Sequence, residues 1–255
     1  MSKRNRLIKA IKHPEWLLAV VFRRLSPFIK NDKFYLRILY FLEMKGKILH
    51  LENPRTFTEK LQWLKIYDYK PEYTQLVDKL AVKDYVASRI GKEYVIPTLA
   101  VWNSVEEIDW DSLPSQFVLK TTHGGGGCGV VVCTDKSKLD KETAIKKLRV
   151  SMHTNAGQIY REKPYLNVPR KIIAEKFIAE RKTHYENSFE ELKDYKFFCF
   201  GGKVKCFKID FGRFVEHHAN YYSPDGEFLP FGEKAYEPDS NHVENMPDNL
   251  SEMIL

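Results

Sequence analysis

Phe117-Val118-Leu119-Lys120-Thr121-Thr122-His123-Gly124-Gly125-Gly126-Gly127-Cys128-Gly129-Val130-Val131-Val132-Cys133 decides the reading of this chain. An apolar run ends in a lysine, a glycine loop follows, and a β-branched run closes the stretch. That pattern predicts strand, loop, strand. Five of the chain's 13 glycines fall within residues 124–129. A tight hairpin turn needs far fewer. A loop this bare brings backbone N–H groups close to a ligand where side chains would obstruct it. Lys120 at its mouth adds a compact positive charge, so the ligand it suits is a polyphosphate. A ligand-free, mobile hairpin tip is the bland alternative.

The flanking residues exclude the commoner phosphate loops. A Walker loop places Gly-Lys-Ser/Thr at the start of a helix, whereas Gly129 leads into a strand. A dinucleotide fingerprint also needs a helix there. In a protein kinase the lysine follows the loop and a His-Arg-Asp motif comes later. Here the lysine precedes the loop, and no His-Arg-Asp occurs.

Further blocks carry a resemblance. Val77-Asp78-Lys79-Leu80-Ala81-Val82-Lys83-Asp84-Tyr85-Val86 precedes the loop. Lys171-Ile172-Ile173-Ala174-Glu175-Lys176-Phe177-Ile178 and Asp194-Tyr195-Lys196-Phe197-Phe198-Cys199-Phe200-Gly201-Gly202-Lys203 follow it. In order and spacing, over roughly residues 50–255, these resemble the ATP-grasp superfamily, and within it the TupA-like (teichuronopeptide biosynthesis-like) proteins of bacterial polysaccharide clusters. The resemblance implies an α+β ATP-grasp fold, two subdomains gripping a nucleotide, with a helical N-terminal extension. The expected division is a helical region over 1–75, a subdomain with flap and hinge over 76–180, and a second subdomain over 181–255 whose C-terminal part is incomplete.

Local signals place the elements. Thr56 or Thr58 is a candidate N-cap for a helix containing Leu61 and Leu64. A helix over 78–90 stops at Gly91, and another begins at Asp140. Residues 171–178 read as a strand. Residues 195–200 and 204–209 form a hairpin over Gly201-Gly202, which sets Cys199 opposite Val204 rather than Cys206 and argues against a local disulfide. A further strand is expected over 213–222.

Composition narrows the class. Apolar content of 43% is ordinary for a globular core. The four cysteines, Cys128, Cys133, Cys199 and Cys206, fit no metal spacing and read as reduced thiols of a cytosolic protein. The apolar run 16–22 is too short to span a bilayer and lacks a cleavage site. Residues 1–30 carry eight cations against Glu15, so the head alone accounts for the whole net charge of +7. Interleaved with Leu7, Ile8, Ile11, Trp16, Leu17 and Phe22, that head is either an amphipathic helix packed on the body or a peripheral contact with an anionic membrane. Nucleic acid is not expected as a partner, because no basic patch continues into the body.

The resemblance assigns the site. Lys120 faces the α- and β-phosphates, with Lys79 or Lys83 as a second ammonium. His123 and Gly124, Gly125, Gly126, Gly127 and Gly129 form the flap, with His123 either touching phosphate or capping the turn. Glu175, Lys176, Phe177 and Ile178 form the hinge, whose backbone reads adenine. Asp194 and Lys196 share a strand face and grip ribose and phosphate. Arg213, with Lys196, serves catalysis by stabilising the transferring phosphoryl group. His217, His218 and Asn220 are candidates for contact with an acceptor, or ordinary strand residues. ATP is the expected cofactor. Mg²⁺ is expected for the family, but its late Asp and Glu-x-Asn ligands do not occur here.

The activity this implies is ATP-dependent ligation of a carboxylate to an amine through an acyl phosphate, with small-molecule or polymer substrates in a cytoplasmic, surface-polymer pathway, impaired by the missing metal ligands. Two alternatives stand beside it. One is a glycosyltransferase, for which Asp109-Trp110-Asp111 matches Asp-x-Asp, although a capped turn explains it better. The other is a non-catalytic nucleotide-binding fragment.

Overall fold

A computed structural model of the chain describes residues 14–178, 180–181, 189–190, 192–212, 216–233, 235–242 and 244–254. The chain forms two units, Met1–Phe177 and Ile178–Leu255. The first holds both the helical segment and the glycine-flap sheet.

Helices α1 (Pro14–Arg24), α2 (Asp32–Glu43), α3 (Phe57–Tyr67), α4 (Tyr73–Val77) and α5 (Ala81–Ile90) open the first unit. Each stop and start has a local cause. Asn31 caps α2 by accepting the Phe34 N–H at 3.0 Å. Thr56 and Glu59 close a reciprocal capping box on α3. Glu59 also accepts N–H groups of Arg55 and His50. These donors, Thr56 first, hold its carboxyl at about 2. Asp78 caps α5 through the N–H groups of Leu80 and Ala81, and Gly91, at φ 113°, ends it. On α2, Tyr35, Leu36, Leu39 and Tyr40 lie on one face and are buried, with Leu49 and Leu51, in a first core. Buried Arg161 stitches this core to the chain downstream. Its guanidinium donates to the Ser26 carbonyl at 3.1 Å, pairs with Asp32 at 2.8 Å and lies over the Tyr35 ring at 4.1 Å.

Strands β1 (Thr98–Trp102), β2 (Phe117–Thr121), β3 (Val130–Cys133) and β4 (Ile172–Lys176) form an antiparallel sheet in the order β1-β4-β2-β3. Helix α6 (Lys141–His153) covers one face, capped by Asp140, and α7 (Ala156–Tyr160) follows. Alternation separates the two faces. Phe117, Leu119, Ile172 and Ala174 join Ala144 and Leu148 of α6 in the main core. Register places Val118 opposite Glu175 and Lys120 opposite Ile173, so Lys120 and Glu175 share the other face.

The second unit contains β5 (Glu180–Arg181), β6 (Phe189–Glu190), β7 (Asp194–Phe200), β8 (Lys203–Phe211), β9 (His218–Tyr222), β10 (Phe228–Leu229) and α8 (Leu250–Ile254). Strands β7 to β10 form an antiparallel meander around a core of Phe207, Ile209 and Tyr222. The hairpin over Gly201-Gly202 sets Cys199 opposite Val204, as its spacing requires. The strand expected over 213–222 begins at His218; Arg213 lies outside the described residues. All four cysteines are free. Among the described residues, no helix is long and apolar enough to cross a membrane.

Candidate functional site

Glu175 is the hub of the first unit. Its carboxylate is buried and accepts from Lys83 at 2.6 Å and from Lys120 at 2.5 Å. Burial pushes this carboxyl up, but hydrogen bonds and charge from Lys120 and Lys83 outweigh it and hold it below its ordinary value. Lys83 is fixed further by the Ile96 carbonyl at 2.8 Å and the Thr98 hydroxyl at 2.9 Å. Lys79 joins from the residue after Asp78. Its backbone N–H donates to the Thr122 carbonyl at 3.1 Å, and its ammonium donates to the Gly124 carbonyl. Burial, then the charge of Lys120, pull the Lys79 ammonium below its ordinary value. Three lysines thus crowd around Glu175 and Asp78 on the sheet face that leads to the flap.

The glycine loop has a tight base and an open tip. A Cβ on Gly124 would collide with Thr121 Oγ1 and the Cys128 carbonyl. One on Gly129, at φ 70°, would collide with Ser151 and Thr121. Thr121 and Ser151 are themselves joined hydroxyl to hydroxyl at 2.7 Å. Gly125, Gly126 and Gly127 have nothing within 4 Å of a Cβ position. Only glycine lets the base close and still leaves the tip backbone bare.

Beside the flap lies a cavity of about 510 Å³, lined by His123, Gly124–126, Cys128, Tyr160, Glu162 and Tyr165 among others. His123 is 4% exposed. Its Nε2 lies 3.0 Å from the Ser151 carbonyl, which only accepts. In the neutral ring Nε2 therefore carries the proton and Nδ1 the lone pair. Nδ1 is buried with no hydrogen-bond partner. Burial above all, helped by the charges of Arg170 and Lys79 and opposed by the Ser151 carbonyl, lowers the affinity of this imidazole for a second proton.

In the hinge, the Lys176 N–H is taken by the Pro97 carbonyl at 3.0 Å, and Ile178 is the first residue of the second unit. In that unit, Asp194 stands opposite Asp210 and Lys196 opposite Lys208, all on one face. Lys196 bonds both Asp194 and Asp210. Asp210 also receives His217 at 3.0 Å and lies 3.5 Å from Lys208, which bonds Glu233. Burial raises the Asp210 carboxyl, but Lys196 and His217 outweigh it and hold it low. Asn220 is fully buried and spends its amide on the Asp239 backbone, accepting at 2.9 Å and donating at 2.8 Å. It anchors the tail and offers nothing to an acceptor. His218 bonds the Glu237 carbonyl at 2.9 Å.

Three features have no clear signal in the sequence: the buried carboxylate role of Glu175, the Asp210 cluster and the tyrosine-lined cavity. The first two depend on residues brought together across strands, and the cavity on the flap meeting the helices after it. Alternation around Lys120 and Glu175 is the one cue that points to the first. Asp109 of Asp109-Trp110-Asp111 accepts the Asp111 and Ser112 N–H groups at 3.1 and 3.3 Å, which is a capped turn. Among the described residues, no three His, Cys, Asp or Glu converge as metal ligands. One facing carboxylate pair among the described residues, Asp194 and Asp210, is bridged by Lys196, whose ammonium holds the place a cation would take. These residues do not fit Mg²⁺.

A lysine-lined sheet face leading to a glycine flap, in a chain that also contains a second antiparallel unit, is consistent with a nucleotide-binding protein of the ATP-grasp class. A family model described as TupA-like ATPgrasp matches residues 59–255, and the chain belongs to that family. No curated protein and no solved structure matches it.

Proposed function

We propose that this ligase-like ATP-grasp protein joins a carboxylate to an amine through an acyl phosphate, in assembly of a bacterial cell-surface polysaccharide or teichuronopeptide on the cytoplasmic side. The observation that carries the reading is the set of Lys79, Lys83 and Lys120 around Glu175 below the flap. Three lysines there face the two carboxylates of Glu175 and Asp78, and Lys79 is held below its ordinary value by burial first and by the charge of Lys120 second. A polyphosphate offsets the unmatched lysine charge. ATP, when bound, supplies the phosphoryl group that activates the carboxylate. Lys120 and Lys79 orient phosphate, Gly125–127 close over it with bare N–H groups, and Lys83 keeps Glu175 ionised. In the second unit, Asp194, Lys196 and Arg213 stand as nucleotide- and phosphoryl-binding residues by family resemblance.

The flap cavity supports the amine half of the reaction. Among its lining residues Glu162 carries the only formal charge, and it is negative. Tyr165, whose phenol is raised by burial and by Glu162, stays protonated. Lys65 already pairs with Glu162 at 3.4 Å, so the lining is close to neutral and accommodates an uncharged amine better than a second carboxylate beside Glu162.

Thermal stabilisation by Mg-ATP against UDP-glucose tests the nucleotide, and ADP release with paired amines and carboxylates tests the ligation. Stabilisation by UDP-glucose but not ATP would return the reading to a glycosyltransferase. The lysine between Asp194 and Asp210 favours one second reading, a nucleotide binder without catalysis. Stabilisation by ATP with no ADP release for any pair marks that outcome.

A further inference from the structure

The first helix and the turn after it leave an apolar stripe uncovered. Leu17, Leu18 and Val21 of α1 are exposed, as are Leu25 and Phe28 in the following turn; Leu18 is 57% exposed and Phe28 80%. These positions recur at helical spacing. Ala19 is buried, and Phe22 stacks on Tyr35 at 5.0 Å, so the helix already has a separate inward face. Exposed cations flank the stripe, Arg24 and Lys30. The nearby carboxylates are engaged: Glu43 by Arg23, and Asp32 by Arg161 at 2.8 Å. In sequence, residues 1–30 carry eight cations against one anion.

A helix with two apolar faces, the outer one bordered by unmatched positive charge, has more hydrophobic surface than its own core uses. An anionic lipid surface matches both properties of the outer face. The acyl boundary takes the side chains, and acidic headgroups take the lysines and arginines. No described helix crosses a bilayer, so the contact lies on the surface. We propose that α1 and the turn after it, with Arg24 and Lys30, dock this protein on an anionic membrane as an interfacial helix. The surface is independent of the nucleotide reading.

The test is co-sedimentation of the full chain with phosphatidylcholine vesicles, with and without phosphatidylserine. Binding is expected only with phosphatidylserine, and weakens as salt rises. Leu18→Glu with Phe28→Glu lowers the vesicle partition by about tenfold or more, since two apolar contacts become like-charge repulsions. Phe28→Ser alone, at the most exposed position, gives a smaller loss without risk to the core. Lys146→Gln with Lys147→Gln on α6 shifts the net charge by the same two units elsewhere and leaves the partition unchanged. No binding to acidic vesicles overturns the proposal. So does equal loss in the α6 variant, which would mark diffuse electrostatics. So does tighter binding to a DNA duplex than to vesicles, with the stripe variants unaffected.

Discussion

The two units each gather lysines and carboxylates on one sheet face, and they balance them oppositely. In the first, Lys79, Lys83 and Lys120 meet Glu175 and Asp78, and positive charge is left over. In the second, Lys196 and Lys208 meet Asp194, Asp210 and Glu233, and every lysine is bonded to carboxylate. The first cluster is short of an anion, and the second has spent its cations internally. The same residue types, gathered on an antiparallel sheet, therefore leave a cationic excess in one unit and lysines paired with carboxylates in the other. The count and the register decide which.

The sharpest way to break this contrast is to delete each hub. Glu175→Ala should cost about 3 kcal/mol, because it strands lysines that are mostly buried. Asp210→Ala should cost roughly 1–2 kcal/mol, since Lys196, 44% exposed, turns to water. Denaturant melts of both variants decide it, and an equal loss would erase the distinction. Next in size is ligand binding. Lys120→Met should weaken ATP by about 10- to 100-fold, the worth of one charged hydrogen bond. By calorimetry, Lys208→Met should stay within about a factor of two. A Lys208 effect as large as that of Lys120 would mean the second cluster also serves the phosphates.

The flap offers a third test. Gly129→Ala should cost about 2 kcal/mol, through the left-handed backbone and the contact with Ser151. Gly125→Ala should stay within about 0.5 kcal/mol. A stable Gly129→Ala protein would show that the base is not closed as described. The smallest effect is the pH profile. Glu175, Asp210 and Glu59 all have folded carboxyls held below their ordinary values. Each therefore contributes stability that is present above the ordinary carboxylate range and is lost as pH falls through the folded value. For Glu59 the loss runs from 4.5 down to about 2. Thermal melts of Glu59→Gln should be flatter than wild type over that window; parallel curves would remove the capping box from the account.

Much of this was legible in the residues. Lys120, the glycines and the strands around them follow from alternation and β-branching, both local properties. Thr56, Asp140 and Gly91 mark helix ends because capping is decided within a single turn. The hinge was read for its backbone, but the structure makes the Glu175 side chain the hub and commits the Lys176 N–H to Pro97. Asn220, on a strand that looked available to an acceptor, is instead a buried brace on Asp239. Such contacts are not legible in sequence because the partner lies 19 residues away in that bond, and 45 and 124 residues away in others, Lys79 with Gly124 and Tyr35 with Ile159.

The sequence by itself determined the strand–lysine–glycine–strand unit, the caps, the basic head and the family, since these are patterns of neighbours in the chain. Only the tertiary structure decided that Glu175 neutralises two lysines and leaves a third in excess. It alone decided that His123 presents a buried lone pair rather than a charge, and that α1 keeps an apolar face uncovered. Ionisation and exposure depend on desolvation and on charges brought close by folding, and no local pattern encodes those distances.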